Sequence, residues 1–430
     1  MAETKTIDVH HVTRIEGHGD ITAEIRDGVL QNVRFSVVEA PRFFEAFLRG
    51  QHHQEVTHIA SRICGICAVS HKCAALKATE AALDVDISGQ TRLLRRLAYH
   101  GEVLSSHILH IYFLAGPDFF DVPSVLPLTR SNPDMVRRAM GLKKLGYDLS
   151  AVVAGRHTHP VAMVVGGFTF VHDAEKLAEM KQRVDDALAD MRETIRTLKE
   201  IDLPDFERET EFVSLQHPER YAFYEGEIRS SDREETVPAD RYREVIEEYV
   251  VPHSTAKYAR WNRPEYMTGA LARVNNNFDQ LSEGAKTAAD DLGLTIPCFN
   301  PFMNTAAQAV ECVHCLEDSL DILNTLLERG IDPDAECESV TDRAGSGIGA
   351  VEAPRGILFH EYEYDDNGKC RYANHLIPTA QNLANLEADM RAYAPTIATE
   401  SRETITRQLE MLVRAYDPCI SCSTHVIDLR

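Results

Sequence analysis

The sequence predicts a mainly helical α+β protein, in which a bundle of long helices carries small β-sheets at its periphery. Long stretches place apolar residues at helical spacing. Two turn signals, Asp27-Gly28 and Asp366-Asn367-Gly368, each lie between short runs typical of strands, which is the pattern of a β-hairpin. The predicted helices are residues 70–83, 92–114, 131–153, 173–200, 266–292, 303–330 and 398–415.

The strand-like runs lie near the two ends of the chain. Residues 7–25 alternate between apolar and polar, and residues 29–37 continue that pattern after the first turn. Residues 357–364 and 371–377 flank the second turn. Residues 341–356 are rich in glycine, and we predict that they form a loop.

We expect residues 1–430 to form a single domain, because neither an internal repeat nor a low-complexity linker divides the chain. The expected parts are an N-terminal β region (1–40), a helical region with the first cysteine pair (41–200), an inserted excursion (204–252), and a region of helices and a hairpin with the last cysteine pair (266–430).

Charge and hydropathy exclude several classes of protein. Acidic residues outnumber basic ones by 67 to 45, which gives a formal net charge of −22. This argues against nucleic-acid binding, which needs clustered Lys and Arg. We expect no membrane span, because no window reaches about 18 apolar residues. The polar start, MAETKTIDVHH, does not have the pattern of a secretory signal, and we therefore expect a cytoplasmic protein.

The cysteines are the most informative part of the composition. Six of the ten fall in CxxC pairs, and such pairs in a long chain indicate metal binding or redox chemistry in a reducing compartment. Cys64 and Cys67 precede a predicted helix, whereas Cys419 and Cys422 follow one. If these two turns meet in space, they offer four thiolates to one ion.

Spacing alone leaves the kind of site open. A structural zinc site with four cysteines is one reading, although its pairs usually lie about 15–20 residues apart. A thioredoxin-like redox pair is another, but neither CxxC lies in a βαβ pattern. A catalytic or redox metal is the third, with soft sulfur ligands selecting zinc, iron–sulfur, nickel or copper over magnesium or calcium.

Six short motifs, in order, resemble those of the large, catalytic subunit of nickel–iron hydrogenases. They extend over most of the chain and together are far more specific than either CxxC pair. The motifs are Arg14-Ile15-Glu16-Gly17-His18, Arg62-x-Cys64-Gly-x-Cys67-x-x-x-His71, Gly155-Arg156-x-x-His159-Pro160, Glu352-Ala353-Pro354-Arg355-Gly356, Pro378-Thr379-Ala380-Gln381-Asn382 and Asp417-Pro418-Cys419-x-x-Cys422-x-x-His425. The resemblance implies the fold of that subunit and reversible, heterolytic cleavage of dihydrogen to protons and electrons.

The resemblance also implies the metal ligands. Cys64, Cys67, Cys419 and Cys422 match the residues that hold nickel, and Cys67 and Cys422 also bridge to an iron with carbonyl and cyanide ligands. Cleavage of dihydrogen needs a Lewis acid and a nearby base. Cys419 is the family's candidate for that base, and Glu16 matches its proton gate. Outside the motif, a glutamate beside a strand would be read as a solvated charge.

Further residues match the surroundings of the open metal position. Arg355 matches an arginine that overhangs it, and a guanidinium, which is always charged, can orient or polarise a bound species. Pro354 restrains the backbone there, and Asp118 and Asp417 match neighbouring carboxylates. Asp417 also suits the turn before the proline that follows it. We expect His71 to hydrogen-bond near a bridging sulfur.

A second metal site is implied near the C-terminus. Glu45, His425 and the backbone carbonyl of Ile377 match a site that holds magnesium or iron in the family. The carboxylate and the carbonyl suit a hard cation, whereas the imidazole is an unusual ligand for one. Only five residues follow His425, so the sequence leaves open whether a C-terminal extension is removed there.

The remaining cysteines do not have the spacing of an iron–sulfur cluster. Cys312 and Cys315 share one face of a predicted helix, and we expect them to be core thiols. The isolated cysteines are Cys73, Cys298, Cys337 and Cys370. Without a cluster in this chain, electrons must leave through another chain, and the resemblance implies an iron–sulfur small subunit.

The chain length and the SRICGICAVSH motif resemble the cytoplasmic hydrogenases of methanogens and related anaerobes. We expect the methyl-viologen-reducing, deazaflavin-non-reducing type, which passes electrons through an additional electron-transfer subunit to heterodisulfide reductase by flavin-based bifurcation. The deazaflavin-reducing and NAD-linked types are the alternatives. More remote alternatives are a non-catalytic subunit of the complex I kind, whose relatives have lost the metal cysteines, and a structural zinc protein.

Overall fold

The computed structural model describes residues 4–332 and 340–424. Cys337, His425 and residues 426–430 therefore lie outside the described part of the chain. Within it, none of the helices combines the length and the apolar character needed to cross a lipid bilayer.

Helices supply most of the regular structure. The helices are α1 Phe44–Leu48, α2 His53–Ala60, α3 Ala68–Leu83, α4 Gly89–Leu109, α5 Gly116–Phe119, α6 Leu128–Ser131, α7 Pro133–Ala154, α8 Ala174–Lys199, α9 Ala270–Asn277, α10 Glu283–Asp291, α11 Asn304–Arg329, α12 Pro378–Tyr393, α13 Arg402–Ala415 and α14 Ile420–Ser423. Side-chain caps begin several of them, because Ser88, Asp173 and Ser401 each accept a hydrogen bond from a backbone N–H in the following turn. The N-terminus of these helices is therefore encoded locally.

The strands form small sheets among the helices. They are β1 Thr4–Val9, β2 Gly19–Arg26, β3 Val29–Val37, β4 Met163–Val164, β5 Gly167–Phe168, β6 Glu211–Gln216, β7 Glu227–Ser230, β8 Glu247–Tyr249, β9 Tyr258–Arg260, β10 Tyr266–Met267, β11 Gly345–Ala353, β12 Gly356–Tyr364 and β13 Cys370–Leu376. The three-stranded sheets have the orders β1-β2-β3, β10-β6-β7 and β11-β12-β13, and β4-β5 and β8-β9 form pairs. Both predicted hairpins are present, as β2-β3 and β12-β13. The division of the chain into the parts expected above stays a prediction.

The glycine-rich segment before the second hairpin is a strand, so the predicted loop is wrong. β11 pairs with β12 in antiparallel register along its whole length. Gly345, Gly347 and Gly349 face α3, and a Cβ atom on any of them would collide with the main chain of that helix. Glycine within a strand often marks such a close backbone approach. The glycines therefore allow β11 to pack closely on α3, and they do not indicate a loop.

The predicted helix 266–292 is also divided. α9 and α10 are separated by a short 3₁₀ turn at Phe278–Gln280 and by the extended residue Leu281. At the end of α9, the side-chain amides of Asn276 and Asn277 donate hydrogen bonds to the backbone of β6. Asparagine that bonds neighbouring backbone groups competes with helix continuation, so α9 ends there.

A buried central helix places the candidate site. α3 packs against β11 and β12, and nearly all of its residues are buried. Helix α4 packs against α7 and α11. The segment after α13 enters the same interior and brings the last cysteine pair to the first turn of α3. A helix buried on every side has little freedom to shift, and residues on its first turn are held accordingly.

Gly146 lets α4 and α7 approach closely. A Cβ atom on Gly146 would lie 2.6 Å from the carbonyl oxygen of Gly101 and 2.7 Å from the amide nitrogen of Ser105. We expect Gly146→Ala to lower the free energy of unfolding by about 1–3 kcal/mol, because the helices must move apart. Gly141→Ala is the matched control, because no atom lies within 4 Å of its Cβ position. That variant should be neutral or stabilised by up to about 1 kcal/mol. Denaturant unfolding measures both, and equal stabilities would contradict the close approach.

Candidate metal centre

The two terminal cysteine pairs meet in the interior of the protein. Cys64 Sγ lies 3.5 Å from Cys419 Sγ, and Cys67 Sγ lies 3.6 Å from Cys422 Sγ. Cys419 Sγ and Cys422 Sγ are 3.0 Å apart. All four sulfurs lie within 4.8 Å of one another, and all four residues are buried. Thiolates bound to one ion at about 2.3 Å lie roughly 3.3–3.8 Å apart. The two distances that join one pair to the other fall in this range, so the pairs meet at the spacing of a metal site.

Local backbone structure holds both pairs. Cys67 is the residue before α3, and the Ile66 N–H donates a hydrogen bond to Cys64 Sγ at 3.3 Å. The N–H of Cys419 donates to Thr379 Oγ1 at 2.9 Å, which ties the second pair to the start of α12. The first pair therefore lies at the N-terminus of a long helix, where the helix dipole favours thiolate.

The four thiols divide their charge unequally. Hydrogen bonds from the neighbouring thiols, that of Cys419 first, lower the pKa of Cys64 well below its usual value. The hydrogen bond with Cys422 raises the pKa of Cys419, and burial raises the pKa of Cys422. Without a metal, only the thiolate of Cys64 is thus favoured. Ionisation of all four buried thiols would need a cation beside them. Soft sulfur donors select ions such as nickel and iron, so the residues present fit a nickel–iron centre.

Arg355 lies beside the sulfurs in a fixed orientation. Its Nη2 and Nε donate to Asp417 Oδ1 and to the Asp417 carbonyl, both at 2.8 Å. Its Nη1 donates to Ser106 Oγ at 3.2 Å. Burial disfavours the charge, but Asp417 and the thiol of Cys419 outweigh burial and raise the pKa of Arg355. A permanently charged guanidinium is therefore held near the cysteine cluster, as a rigid group rather than a mobile one. Pro354 precedes it, and its carbonyl accepts a hydrogen bond from Arg273 at 2.9 Å.

Glu16 lies against the last cysteine pair. Its Oε2 accepts from the Ser421 N–H at 3.0 Å, and its Oε1 accepts from the Ser421 hydroxyl. The Glu16 carbonyl also accepts from the Ile420 N–H at 2.9 Å. The half-buried carboxylate thus contacts a residue that lies between Cys419 and Cys422.

His71 and Asp118 occupy different surroundings. His71 lies on the first turn of α3, and its Nδ1 is 3.0 Å from His360 Nε2. The Asp118 carboxylate accepts from Arg414 Nε at 2.6 Å and also pairs with Arg14. The hydrogen bonds described for Asp118 go to these two arginines rather than to Arg355. The Asp118 carboxylate is therefore held by Arg14 and Arg414.

Glu45, one of the three residues expected at the second metal site, contacts the segment that leads to Ile377, another of them. Glu45 Oε1 accepts from the backbone N–H of His375 at 2.8 Å, two residues before Ile377. Ile377 is buried and precedes α12, and its carbonyl accepts from the Gln381 N–H at 3.3 Å. His425 lies outside the described residues, so the site stays a prediction.

The Cys312-Val313-His314-Cys315 segment belongs to the core. All four residues lie within α11 and are buried. Burial raises the pKa of both thiols, and His314 Nδ1 accepts from the Ser282 N–H at 3.1 Å. These cysteines pack as apolar groups, as expected from the absence of a partner motif.

Several contacts around the cysteines do not follow from the sequence. Ser106 bonds Arg355 and Ser421 bonds Glu16, and Gln308 Nε2 donates to Asp417 Oδ2 at 3.1 Å. A signal was available for Ser421, because it lies inside a CxxC pair. Ser106 and Gln308 lie on long helices with no local mark of function, since only the fold brings them to Arg355 and Asp417.

Comparison with known proteins identifies matches along the chain. A family model described as nickel-dependent hydrogenase matches residues 42–140 and 197–425, and one described as HoxL-like matches residues 6–40. The chain is 34% identical to the alpha subunit of Sulfhydrogenase 1 of Pyrococcus furiosus, over 98% of this chain and 98% of that protein. It is 33% identical to a subunit of the F420-non-reducing hydrogenase of Methanothermobacter marburgensis, over 97% of this chain and 94% of that protein.

Solved structures share the fold. The NAD+-reducing nickel–iron hydrogenase in the H2-reduced state matches with a TM-score of 0.88 at 25% identity, over 99% of this chain and 100% of that chain. The Ni-Fe-Se hydrogenase of D. vulgaris Hildenborough matches with a TM-score of 0.77 at 22% identity, over 98% of this chain and 100% of that chain. The predicted mainly helical α+β fold with small sheets is therefore confirmed.

Proposed function

Because the chain belongs to the nickel-dependent hydrogenase family, we propose that its four clustered cysteines hold the nickel–iron centre that cleaves dihydrogen. The protein is the large subunit of a nickel–iron hydrogenase, an oxidoreductase that oxidises hydrogen. The observation that supports the proposal most is the meeting of four buried sulfurs from opposite ends of the chain. This membership argues against a non-catalytic complex I relative and against a structural zinc protein.

Each cysteine has a role in this proposal. Cys64, Cys67, Cys419 and Cys422 would hold nickel, and Cys67 and Cys422 would also hold iron. When bound, the metals, with carbonyl and cyanide ligands on the iron, supply the Lewis acid that polarises dihydrogen. We propose Cys419 Sγ as the first base, because a metal-bound thiolate can accept a proton. His71, on the first turn of α3, adjusts the basicity of a bridging sulfur.

Arg355 would orient or polarise the species bound at the metals in this proposal. Its two hydrogen bonds to Asp417 keep the guanidinium in one orientation, so the position of its charge is fixed before the reaction begins. Pro354 restrains the backbone just before it. Asp118 acts indirectly, because its partner Arg414 accepts a hydrogen bond from the Asp417 N–H at 2.8 Å through its own carbonyl. We therefore propose Asp118 as a positioning residue.

Glu16 is the proposed proton gate, and its replacement by glutamine tests this. The amide oxygen of Glu16→Gln can still accept from the Ser421 N–H, so the cysteine pair should keep its shape. The amide cannot carry a proton, and we expect exchange between D2 and water to fall about 10²–10⁴-fold. Mass spectrometry measures the exchange, and elemental measurement should find unchanged nickel and iron. Glu24→Gln, on the surface of β2, is the control and should exchange normally. Normal exchange in Glu16→Gln would refute the gate.

A second cation is proposed near the C-terminus. Glu45, the carbonyl of Ile377 and His425 would hold magnesium or iron. The proximity of Glu45 to the segment before Ile377 supports this grouping. Its role would be structural, because a cation there would link α1 to the strand end that leads into α12.

Electrons need a route to another chain. Within the described residues, the cysteines outside the four-sulfur cluster form no further group of three ligands, and all of them are buried. We propose that the direct partner is an iron–sulfur small subunit. The relatives are themselves named as subunits of hydrogenases, which supports a multi-subunit complex.

The terminal acceptor is proposed from the relatives. We propose the methyl-viologen-reducing, deazaflavin-non-reducing type, with an additional electron-transfer subunit, heterodisulfide reductase and a cytoplasmic location. Relatives named as F420-non-reducing hydrogenases support the deazaflavin-non-reducing part of this proposal. The chain is 34% identical to the alpha subunit of a sulfhydrogenase and 33% identical to the F420-non-reducing relative, so a sulfhydrogenase-type complex is the second candidate. Mass spectrometry of the natively purified complex decides between them. Heterodisulfide reductase subunits should co-purify with the chain. A complex that contains other electron-transfer subunits but lacks heterodisulfide reductase would contradict the first candidate.

The metal content tests the function itself. Nickel and iron should each be present at about one equivalent per chain in the active protein, apart from the ion of the second site. Infrared bands of carbonyl and cyanide should accompany them. Stoichiometric zinc without nickel would contradict the proposed centre.

A further inference from the structure

His52, His53 and Asp342 converge on one point outside the cysteine cluster. Nε2 of His52 lies 3.0 Å, and Nε2 of His53 lies 3.1 Å, from the same oxygen, Asp342 Oδ1. The two imidazole rings are 4.2 Å apart between centroids. Among the residues that the structure describes, this is one of two groups whose three or more metal-ligating atoms all lie within 4.8 Å, the other being the four cysteines.

The separations of these donor atoms suit a common ion. Ligand atoms bound at about 2.0–2.2 Å to one zinc-type ion lie roughly 2.9–3.5 Å apart. Both measured N···O distances fall in this range. Two imidazoles and a carboxylate form a donor set that favours borderline divalent ions such as zinc over magnesium or calcium. The position of the donors and their chemistry thus agree.

Three segments of the chain hold the donors in place before any ion binds. His52 caps α2, His53 is its first residue, and Asp342 lies just before β11. Gly368, in the hairpin turn, accepts from the His53 N–H through its carbonyl at 2.9 Å. A Cβ atom on Gly368 would lie 2.7 Å from Asp342 Oδ1 and 3.0 Å from His52 Nε2. Only a glycine leaves the space beside these two donor atoms open.

An ion can reach this group from solvent. The His53 side chain is 2% exposed, but those of His52 and Asp342 are 34% and 46% exposed. Water can therefore complete the coordination. An ion on His52 Nε2 places the ring proton on Nδ1, which then no longer accepts from the Gln54 N–H. That hydrogen bond is weak, because its 3.5 Å length is at the limit for such a bond, so breaking it costs little.

We propose that His52, His53 and Asp342 form a further metal site, distinct from the cysteine cluster and from the group of Glu45, Ile377 and His425. This site binds zinc or a similar divalent cation. The ion cross-links the start of α2 to the segment before β11, 289 residues away in the chain. Because α2 leads directly to the first cysteine pair, the site holds the helix that precedes Cys64. The proposal does not depend on the chemistry at the four cysteines.

Zinc binding to the nickel-loaded protein tests the site, because the cysteines are then occupied. After dialysis against zinc alone, we expect about one zinc per chain beyond the metals already bound. X-ray absorption at the zinc edge should find nitrogen and oxygen at about 2.0–2.1 Å and no sulfur. Asp342→Asn keeps the shape of an exposed side chain and should weaken zinc binding at least about 10-fold. His53→Ala should abolish retention.

The chain offers a matched control. His10 Nδ1 and His11 Nδ1 lie 3.4 Å and 3.5 Å from different oxygens of Asp20, on an exposed surface. Asp20→Asn should therefore retain zinc as the wild-type protein does. Wild-type protein that retains no additional zinc, zinc with a sulfur shell, or undiminished binding in Asp342→Asn would each overturn the proposal.

Discussion

Replacing Cys419 by serine is expected to abolish dihydrogen cleavage. The variant removes one of four sulfurs that lie within 4.8 Å of one another, together with the proposed first base. A serine hydroxyl stays protonated at neutral pH and is a poor ligand for soft ions. Loss of an outer-shell partner alone costs about 10–100-fold in metal affinity or activity, so loss of a direct ligand should lower hydrogen-dependent methyl viologen reduction by more than about 100-fold. Elemental measurement should find little nickel.

Cys298→Ser is the control for this substitution. Cys298 is buried, like Cys419, but lies outside the sulfur cluster. The same change of sulfur to oxygen should leave nickel content and activity close to those of wild type. Full activity in Cys419→Ser, or equal losses in both variants, would contradict the assignment of Cys419 as a ligand.

Local signals explain how far the helical framework could be predicted. The helix predicted at 173–200 forms at Ala174–Lys199, because Asp173 caps it. The helix predicted at 303–330 ends before Gly330, as the C-terminal glycine signal indicates. α12 is not among the predicted helices, although a proline at its first position is a common start signal. The sequence does not predict β11 as a strand, because its glycines allow close contact with α3 and no local pattern indicates that contact.

The candidate site likewise contains residues that a local sequence pattern predicts and contacts that no local pattern predicts. The four cysteines are predictable because each CxxC pair is a metal-binding pattern and both pairs belong to motifs that resemble those of a known family. The partners of Arg355 and Asp118 were not predictable, since Arg355 pairs with Asp417 across 62 residues and Asp118 with Arg414 across 296. Nothing in the spacing along the chain indicates that Asp118 faces two arginines instead of Arg355. Such contacts depend on how the helices pack against one another. No short segment of the sequence indicates them.

Replacing Arg273 by methionine should have the largest effect on stability. Arg273 is fully buried and donates to Glu311 Oε1 at 2.6 Å, to Glu311 Oε2 at 2.7 Å and to Glu352 Oε2 at 2.9 Å. It also donates to the carbonyls of Ala353 and Pro354, both at 2.9 Å. Removing one partner of a buried ion pair leaves uncompensated charge, at a cost of about 3–5 kcal/mol. We expect a loss of that size in the free energy of unfolding.

Arg260→Met separates this effect from the loss of an arginine in general. Arg260 pairs with Glu247 at 2.8 Å, but both side chains are more than half exposed. Exposed pairs contribute about 0–1 kcal/mol, so this variant should unfold at nearly the wild-type denaturant concentration. Equal destabilisation of the two variants would contradict a special role for the buried network.

The pH dependence of the loss identifies its electrostatic origin. Burial opposes ionisation of Glu311, but Arg273 outweighs burial and, with His107, lowers the pKa of Glu311 to about 2. A carboxyl whose folded pKa is lowered stabilises the protein above its unfolded pKa of about 4.3, and this stabilisation is lost as the pH falls toward 2. Without Arg273, burial should instead raise the pKa of Glu311, which destabilises the variant increasingly as the pH rises above about 4.3. The stability difference between wild type and Arg273→Met should therefore be larger at pH 7 than at pH 4.5. A difference that does not change with pH would assign the loss to packing instead of charge.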